Sequence, residues 1–203
     1  MGSAHKFWDF MAKRYAKSPV SDEVAYQAKL EKTREYLTPD SDVLEFGCGT
    51  GSTAIVLAPL VARYLATDFS ANMLEIARGK AEGIENLSFQ QAELEDVPLN
   101  GGYDAVLGHS ILHLLPDKEA TLAEVFARVK PGGVFISSTV CIGKNKVLEG
   151  LLWVGHKIRL LPRVSFFSAE ALENSIKAAG FKIEHSWRAN PKAALFLVAR
   201  KPS

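Results

Sequence analysis

From Asp42 onward the chain alternates short apolar runs with helix-patterned stretches, and this alternation constrains the architecture more than any other feature. Residues 43–46 read as a strand, residues 61–67 as a second ending at Asp68, and residues 87–91 as a third. Residues 103–107 and 133–138 supply a fourth and a fifth. Between them fall an apolar helix running to about Leu60 and a helix capped by Ser70 that carries Met73, Leu74, Ile76 and Ala77. A further helix over 118–129 meets a stop at Lys130-Pro131-Gly132-Gly133. Such strand–helix repetition makes βαβ units, hence a parallel sheet covered on both faces. Two more strands, near 182–187 and 194–199, are joined across Asn190-Pro191, and so short a connection pairs them antiparallel. The expected fold is α/β, a doubly wound, mostly parallel sheet with one reversed strand at its end.

The flanks of this core read differently. Phe7, Met11 and Tyr15 lie four apart, and Tyr26, Leu30, Thr33 and Leu37 repeat at helical spacing. Pro19 separates the two sets, so residues 5–38 are expected to form a cap of two helices. Late in the chain Val147, Leu151, Val154, Ile158 and Leu161 form an apolar helical stripe, with Lys146, Glu149, Lys157 and Arg159 off it. Ser168 then caps a helix that ends at Gly180. At 203 residues the chain fits a single domain, with 141–167 as an insertion after the fifth strand.

Lys and Arg number 24 against 23 Asp and Glu, a balance that argues against finding nucleic acid by bulk charge. The 2 cysteines, Cys48 and Cys141, make no disulfide framework. No apolar run reaches the ~18 residues of a membrane span. A reducing, cytoplasmic setting without stable membrane insertion is therefore expected, and no metal site is foreseen.

The chemistry concentrates in Gly47-Cys48-Gly49-Thr50-Gly51, between the first strand and its helix. Backbone can approach a ligand closely there, and the helix start offers free N–H groups. The spacing is G-x-G-x-G rather than the G-x-G-x-x-G of dinucleotide sites, which disfavours a nicotinamide-dependent oxidoreductase. Glu45, two residues before the first glycine, would repel a pyrophosphate but suit an ammonium or sulfonium. Asp68 ends the second strand, where a carboxylate can accept both hydroxyls of a ribose. A ligand with a ribose, a base and a cationic head fits these demands, and S-adenosylmethionine is such a ligand.

Val43-Leu44-Glu45-Phe46-Gly47-Cys48-Gly49-Thr50-Gly51 resembles the first motif of class I S-adenosylmethionine-dependent methyltransferases, of the small-molecule type related to ubiquinone/menaquinone-biosynthesis methyltransferases. Thr67-Asp68-Phe69-Ser70-Ala71-Asn72-Met73-Leu74 resembles the second motif, and residues 91–99 are similar to the third. Tyr103-Asp104-Ala105-Val106 and Lys130-Pro131-Gly132-Gly133 match the fourth- and fifth-strand signatures. The resemblance implies seven strands, six parallel and one antiparallel. It also implies that Gly47 and Gly49, with Cys48 between them, line the methionine part, that Asp68 holds the ribose, and that Phe69 and Met73 face the adenine. Glu93 and Leu94 would hold the adenine edge; the family more often has Asp where Glu93 stands. Tyr15 looks like an N-terminal tyrosine that reaches the methionine carboxylate in relatives.

Several of these residues have a plainer alternative. Met73 and Phe69 could be core, and Tyr15 could pack its ring in a helix interface. Cys48 could be a small loop residue, inert unless its thiol is exposed and acidic. His109, after the fourth strand, could line the cofactor, act as a general base on the acceptor, or simply pack its ring; His113 reads as structural. The stretch after the fourth strand is His109-Ser110-Ile111-Leu112, not the Asn/Asp-Pro-Pro-Tyr of amide and adenine methylators, which disfavours nucleic-acid and protein-amide substrates. Leu151, Leu152, Trp153, Ile158, Phe166 and Phe167 would roof a site for an aromatic or lipophilic acceptor. They could equally pack on the sheet, or form a membrane-facing helix flanked by Lys157, Arg159 and Arg163. The expectation is methyl transfer to a small-molecule acceptor at O, S or N, releasing S-adenosylhomocysteine. The alternatives are a non-catalytic S-adenosylmethionine-binding regulator and the oxidoreductase.

Overall fold

The computed structural model describes residues 2–20, 22–141, 143 and 164–203, with side chains from His5 onward. The apolar stripe from Val147 to Leu161, and with it most of the expected roof, lies outside the described residues. Two helices open the chain, α1 (Gly2–Lys17) and α2 (Glu23–Arg34), parted near Pro19 as expected. Asp22 caps α2, its carboxylate accepting the Ala25 N–H at 2.9 Å. Then follow β1 (Asp42–Phe46), α3 (Ser52–Leu57), β2 (Arg63–Asp68), α4 (Ala71–Lys80), β3 (Leu87–Gln91) and β4 (Tyr103–His109). The chain continues through α5 (Lys118–Arg128), β5 (Val129–Thr139), α6 (Ala169–Ala178), β6 (Lys182–Trp187) and β7 (Leu195–Arg200). Ser70, Asp117 and Ser168 cap α4, α5 and α6 through side-chain oxygens, so each of these helix starts is fixed by one short polar residue.

The strands form one seven-stranded sheet in the order β3-β2-β1-β4-β5-β7-β6. All pairs are parallel except those made by β7, which runs antiparallel to both β5 and β6. The expected Rossmann-like sheet with one reversed strand is present. That strand sits one place in from the edge rather than at it, because β7 folds back from β6 into the gap beside β5.

Most boundaries fall within a residue or two of the sequence reading, and three larger or more telling differences have local reasons. The helix expected to reach Leu60 is α-helical only to Leu57, and Ala58–Leu60, with Pro59 in it, tightens into a 3₁₀ turn. The Lys130-Pro131-Gly132-Gly133 stretch is not only a helix stop, because β5 already begins at Val129. The register jumps from Tyr103↔Val129 to Ala105↔Val134, so this stretch is a bulge within the strand. A side chain at Gly133 would meet the Asp104 carbonyl at 2.8 Å, which accounts for the glycine. Finally, β4 runs two residues past Leu107 and carries His109 into register with Ser138 of β5.

Alternating side chains divide the core into two layers. Leu44, Val106 and Phe135 point to the face covered by α5 and α6, against Leu122, Val125, Leu172 and Ile176. Val43, Tyr64, Ala105 and Ile136 point the other way, toward Leu30 of α2 and Leu57 of α3. Phe167, expected in the roof, is buried in the first layer. Removing a side chain such as Leu44 or Leu122 down to Ala would cost about 2–5 kcal/mol by cavity formation. These layers fix the carboxyl ends of β1, β2, β4 and β5 side by side, which is where the remaining polar residues gather.

Candidate active site

The first turn after β1 is shaped by what its glycines touch. Gly47 has φ +63°, and a Cβ there would meet Ile111 Cγ1 at 2.8 Å. At Gly49, φ +54°, only Tyr15 Cε1 would come near, at 3.8 Å, so the backbone lies open beneath the Tyr15 ring. The Cys48 N–H donates to the Thr67 carbonyl (2.9 Å) and the Gly49 N–H to Asp68 Oδ2 (2.9 Å), tying the loop to the end of β2. The other Asp68 oxygen accepts the Ser70 N–H at 2.8 Å. Burial raises the Asp68 pKa, and these two amides oppose the rise. Each oxygen has lone pairs beyond the one its amide uses.

Glu45 is a buried strand end, 2% exposed, accepting the Tyr64 hydroxyl at 2.9 Å. Burial pushes its carboxyl up to about 8, with Tyr64 opposing and Asp68 adding to the rise. The acid is therefore largely protonated at pH 7 and would ionise on meeting a cation. The Cys48 thiol is pushed up by burial, then by Glu45 and Asp68, so it stays protonated and inert.

The N-terminal helix closes over this floor. Tyr15 of α1 reaches the loop, and burial, Asp68 and Glu45 together raise its hydroxyl pKa. Asp9 of α1 accepts the Ser70 hydroxyl at 2.6 Å and the Asn72 N–H at 3.3 Å, while Asn72 Nδ2 donates back to the Asp9 carbonyl at 3.1 Å. The Asp9 carboxylate thus sits at the amino end of α4, where the helix dipole favours it. Further along, the His5 ring stacks on Phe69, centroids 4.5 Å apart, and its Nε2 lies 3.3 Å from Glu93 Oε1. Phe69 and Glu93, two of the four residues assigned to adenine, are both in contact with the His5 imidazole. Met73 is 3% exposed and Leu94 5%, so both side chains belong to the interior.

On α2, burial raises the pKa of the Tyr26 hydroxyl against an opposing contribution from Thr53, and among the described residues the hydroxyl has no partner within hydrogen-bonding geometry. Lys29, one turn on, donates to Ser138 Oγ at 2.9 Å, and burial lowers its pKa while Asp22 opposes. The His109 pKa is lowered to about 4 by burial, then by the charge of Lys29, so its imidazole is neutral at neutral pH. Ser110, just beyond, holds φ +55°, a strained value for a side chain other than glycine, and donates its N–H to the Ser138 carbonyl at 2.6 Å. His113 accepts the Ser165 N–H with its carbonyl, while its ring Nδ1 is buried without a partner. His5, Asp9, Tyr26 and Lys29 were not singled out from sequence as site residues. Tyr26 and Lys29 share a helix face at i, i+3, but nothing local marks that face as covering a site.

The residues present fit S-adenosylmethionine. Gly49 leaves its backbone open, the unpartnered Tyr26 hydroxyl waits for an acceptor, and the buried Glu45 acid lacks a cation. Among the described residues no group of three or more His, Cys, Asp or Glu could hold a metal ion. Among them, too, no helix is long and apolar enough to cross a membrane.

A family model described as a methyltransferase domain matches residues 12–186. This chain belongs to that methyltransferase family. Over 98 residues it is 36% identical to trans-aconitate 2-methyltransferase of Deinococcus radiodurans, covering 47% of this chain and 36% of that one. Over 151 residues it is 27% identical to the ubiquinone biosynthesis O-methyltransferase of Acinetobacter baylyi, covering 70% of this chain and 63% of that one. Among solved structures, the DhpI–SAH complex superposes with a TM-score of 0.76 at 26% identity, covering 98% of this chain and 96% of that one. The methyltransferase spans less than two thirds of the curated relatives it resembles, down to 4% of the lovastatin diketide synthase of Aspergillus terreus. Its domain is of the class I, S-adenosylmethionine-dependent kind, as the glycine loop and Asp68 implied.

Proposed function

We propose that this methyltransferase transfers a methyl group from S-adenosylmethionine to a small-molecule acceptor at oxygen, sulfur or nitrogen, acting as one domain whose N-terminal helices close over the cofactor. The observation that carries the reading is a row of three acids, Glu45, Asp68 and Glu93, at the ends of neighbouring strands β1, β2 and β3, with the open glycine loop beside them. Adjacent strands lie ~4.8 Å apart, so the row suits a ligand laid across them, cationic at one end and hydroxylated in the middle. Bound there, S-adenosylmethionine supplies a sulfonium-activated methyl for in-line displacement.

Each residue then has a role. Glu45 ionises to face the ammonium, while Tyr15 and Tyr26 donate to the methionine carboxylate. Asp68 accepts from the ribose hydroxyls with its free lone pairs. Glu93 and the Leu94 backbone meet the adenine edge and Phe69 its face, once His5 makes room; Met73 is buried in the interior. Gly47, Cys48 and Gly49 offer backbone rather than side chains.

His109 lines the site rather than taking the acceptor's proton. With its pKa lowered to about 4 by burial and by the Lys29 charge, the imidazole holds a proton poorly at neutral pH. Holding donor and acceptor in line supplies about 7–11 kcal/mol without any base. The roof residues between 146 and 161, on which an aromatic or lipophilic acceptor rested, lie outside the described structure.

Calorimetry with S-adenosylmethionine, S-adenosylhomocysteine and NADH tests the reading. Micromolar binding of both sulfur ligands and none of NADH is expected; the reverse would revive the oxidoreductase. Methylation of any member of a phenol, thiol, amine and carboxylic-acid panel would then separate an enzyme from a non-catalytic sensor.

A further inference from the structure

Lys29 is a half-buried cation in an unusual setting. Its ammonium donates to Ser138 Oγ at 2.9 Å and makes no ion pair among the described residues. Asp22, on its own helix, is already engaged as the helix cap. Ser138 is 4% exposed and stands beside His109 in the β4–β5 register, on the sheet face that carries Ala105, Leu107 and Ile136. That face is the one α2 covers through Leu30. Lys29, Ser138 and His109 therefore form one cluster over the ends of β4 and β5. The cluster offers an ammonium, a hydroxyl and a neutral imidazole, and it includes no carboxylate.

Enclosing a cation without a counter-ion costs free energy that an anion arriving from solution would offset. The position says which anion. Strands are ~4.8 Å apart, so β5 lies roughly 10 Å from β1 and its glycine loop, on the side away from β2 and β3. The acid row spans β1, β2 and β3, and the Lys29 cluster begins where that row ends. Resting on the methyl-transfer reading above, we infer that the acceptor is an oxyanion-bearing small molecule whose carboxylate, phosphate or phosphonate oxygens are held by Lys29 and Ser138. Lys29 is then a substrate-binding residue that selects acidic acceptors and sets their orientation. His109 contributes its ring N–H to the same oxygens or shields them from water.

The test uses the full chain saturated with S-adenosylhomocysteine, titrated with benzoate, methylphosphonate and the neutral benzamide, and followed by NMR shifts of the His109 ring. At least tenfold tighter binding of an anion than of benzamide is expected, and the stronger of the two anions distinguishes carboxylate from phosphonate. Lys29→Met should bring benzoate within twofold of benzamide while leaving S-adenosylhomocysteine affinity within threefold of the parent, which also shows that the variant folds. Lys29→Arg should retain the preference. Equal binding of benzoate and benzamide, or no anion binding at millimolar concentration, overturns the inference. So does a tenfold loss of S-adenosylhomocysteine affinity in Lys29→Met, which would give the cation to the cofactor. If the parent protein itself fails to bind S-adenosylhomocysteine, the methyl-transfer reading falls instead.

Discussion

The two halves of the sheet's carboxyl edge carry different chemistry, acids on one side and a cation on the other, and acquire it by different means. On the β1–β3 side stand Glu45, Asp68 and Glu93, supplied by strand ends and held by backbone amides and by Tyr64. On the β4–β5 side the charge is positive, and it comes from α2, which projects Lys29 down onto Ser138. The acids are built into the sheet, whereas the cation is delivered from a separate layer. On the proposed reading, the donor half would be set by residues of the strands themselves, and the acceptor half by how a helix packs.

The largest effect should come from the centre of the acidic half. Asp68→Ala removes two charge-assisted ribose contacts, together worth about 3 kcal/mol, so S-adenosylhomocysteine affinity should fall on the order of 100-fold. Retained affinity in calorimetry would break the acidic half as a cofactor site. Glu45→Gln should cost roughly tenfold at pH 8 and less at pH 6, where Glu45 itself is protonated.

The protonation of Glu45 gives a sharper signature. Its carboxyl sits near 8 in the free protein and must fall when an ammonium binds beside it. Affinity should therefore rise from pH 6 to pH 8 and level off above, with proton release seen as buffer-dependent heat. The same shift acts in the opposite sense on the free fold. Its stability contribution is full below the unfolded value of 4.5 and is lost as pH rises through about 8, so free protein should melt at a lower temperature at pH 8 than at pH 5.5, Glu45→Gln flattening the change.

Smaller effects test the borders between the halves. His109→Asn should change kcat by less than about fivefold, whereas a base would lose 10²–10⁴-fold; such a loss would restore general-base catalysis. His5→Ala should tighten S-adenosylhomocysteine binding two- to threefold by clearing the Phe69 face, an effect of about half a kcal/mol. Weaker binding would mean that the imidazole and the adenine stack together.

What the sequence displays and what it hides follow the same division. The glycine loop, Asp68 and the Ser70 cap are short local patterns at strand ends and a helix start, and each lies on the element where its pattern puts it. Glu45 is legible as a site acid, yet its burial depends on Tyr64, a partner from the adjacent strand that no local pattern names. Lys29 reads as an ordinary surface lysine because helical periodicity reports which side is apolar, not what the polar flank will touch. The bulge at Lys130–Gly133 resembles a simple helix stop because Pro and Gly interrupt either element. There Arg200 donates to the Gly132 carbonyl and the Lys201 N–H to that of Gly133, contacts from the far end of the chain. The insertion of β7 beside β5 is likewise a matter of tertiary pairing.

The clasp between Asp9 and the start of α4 bears on access. Helix α1 lies across the cofactor floor, with Tyr15 over the glycine loop and His5 on Phe69, and three hydrogen bonds through Asp9 fasten it. Each is worth about 1 kcal/mol, in addition to the stacking of His5 and the packing of α1 on α4. If the cofactor binds this floor as proposed, its way in and out on that side passes a clasp made by a carboxylate that would touch neither reactant.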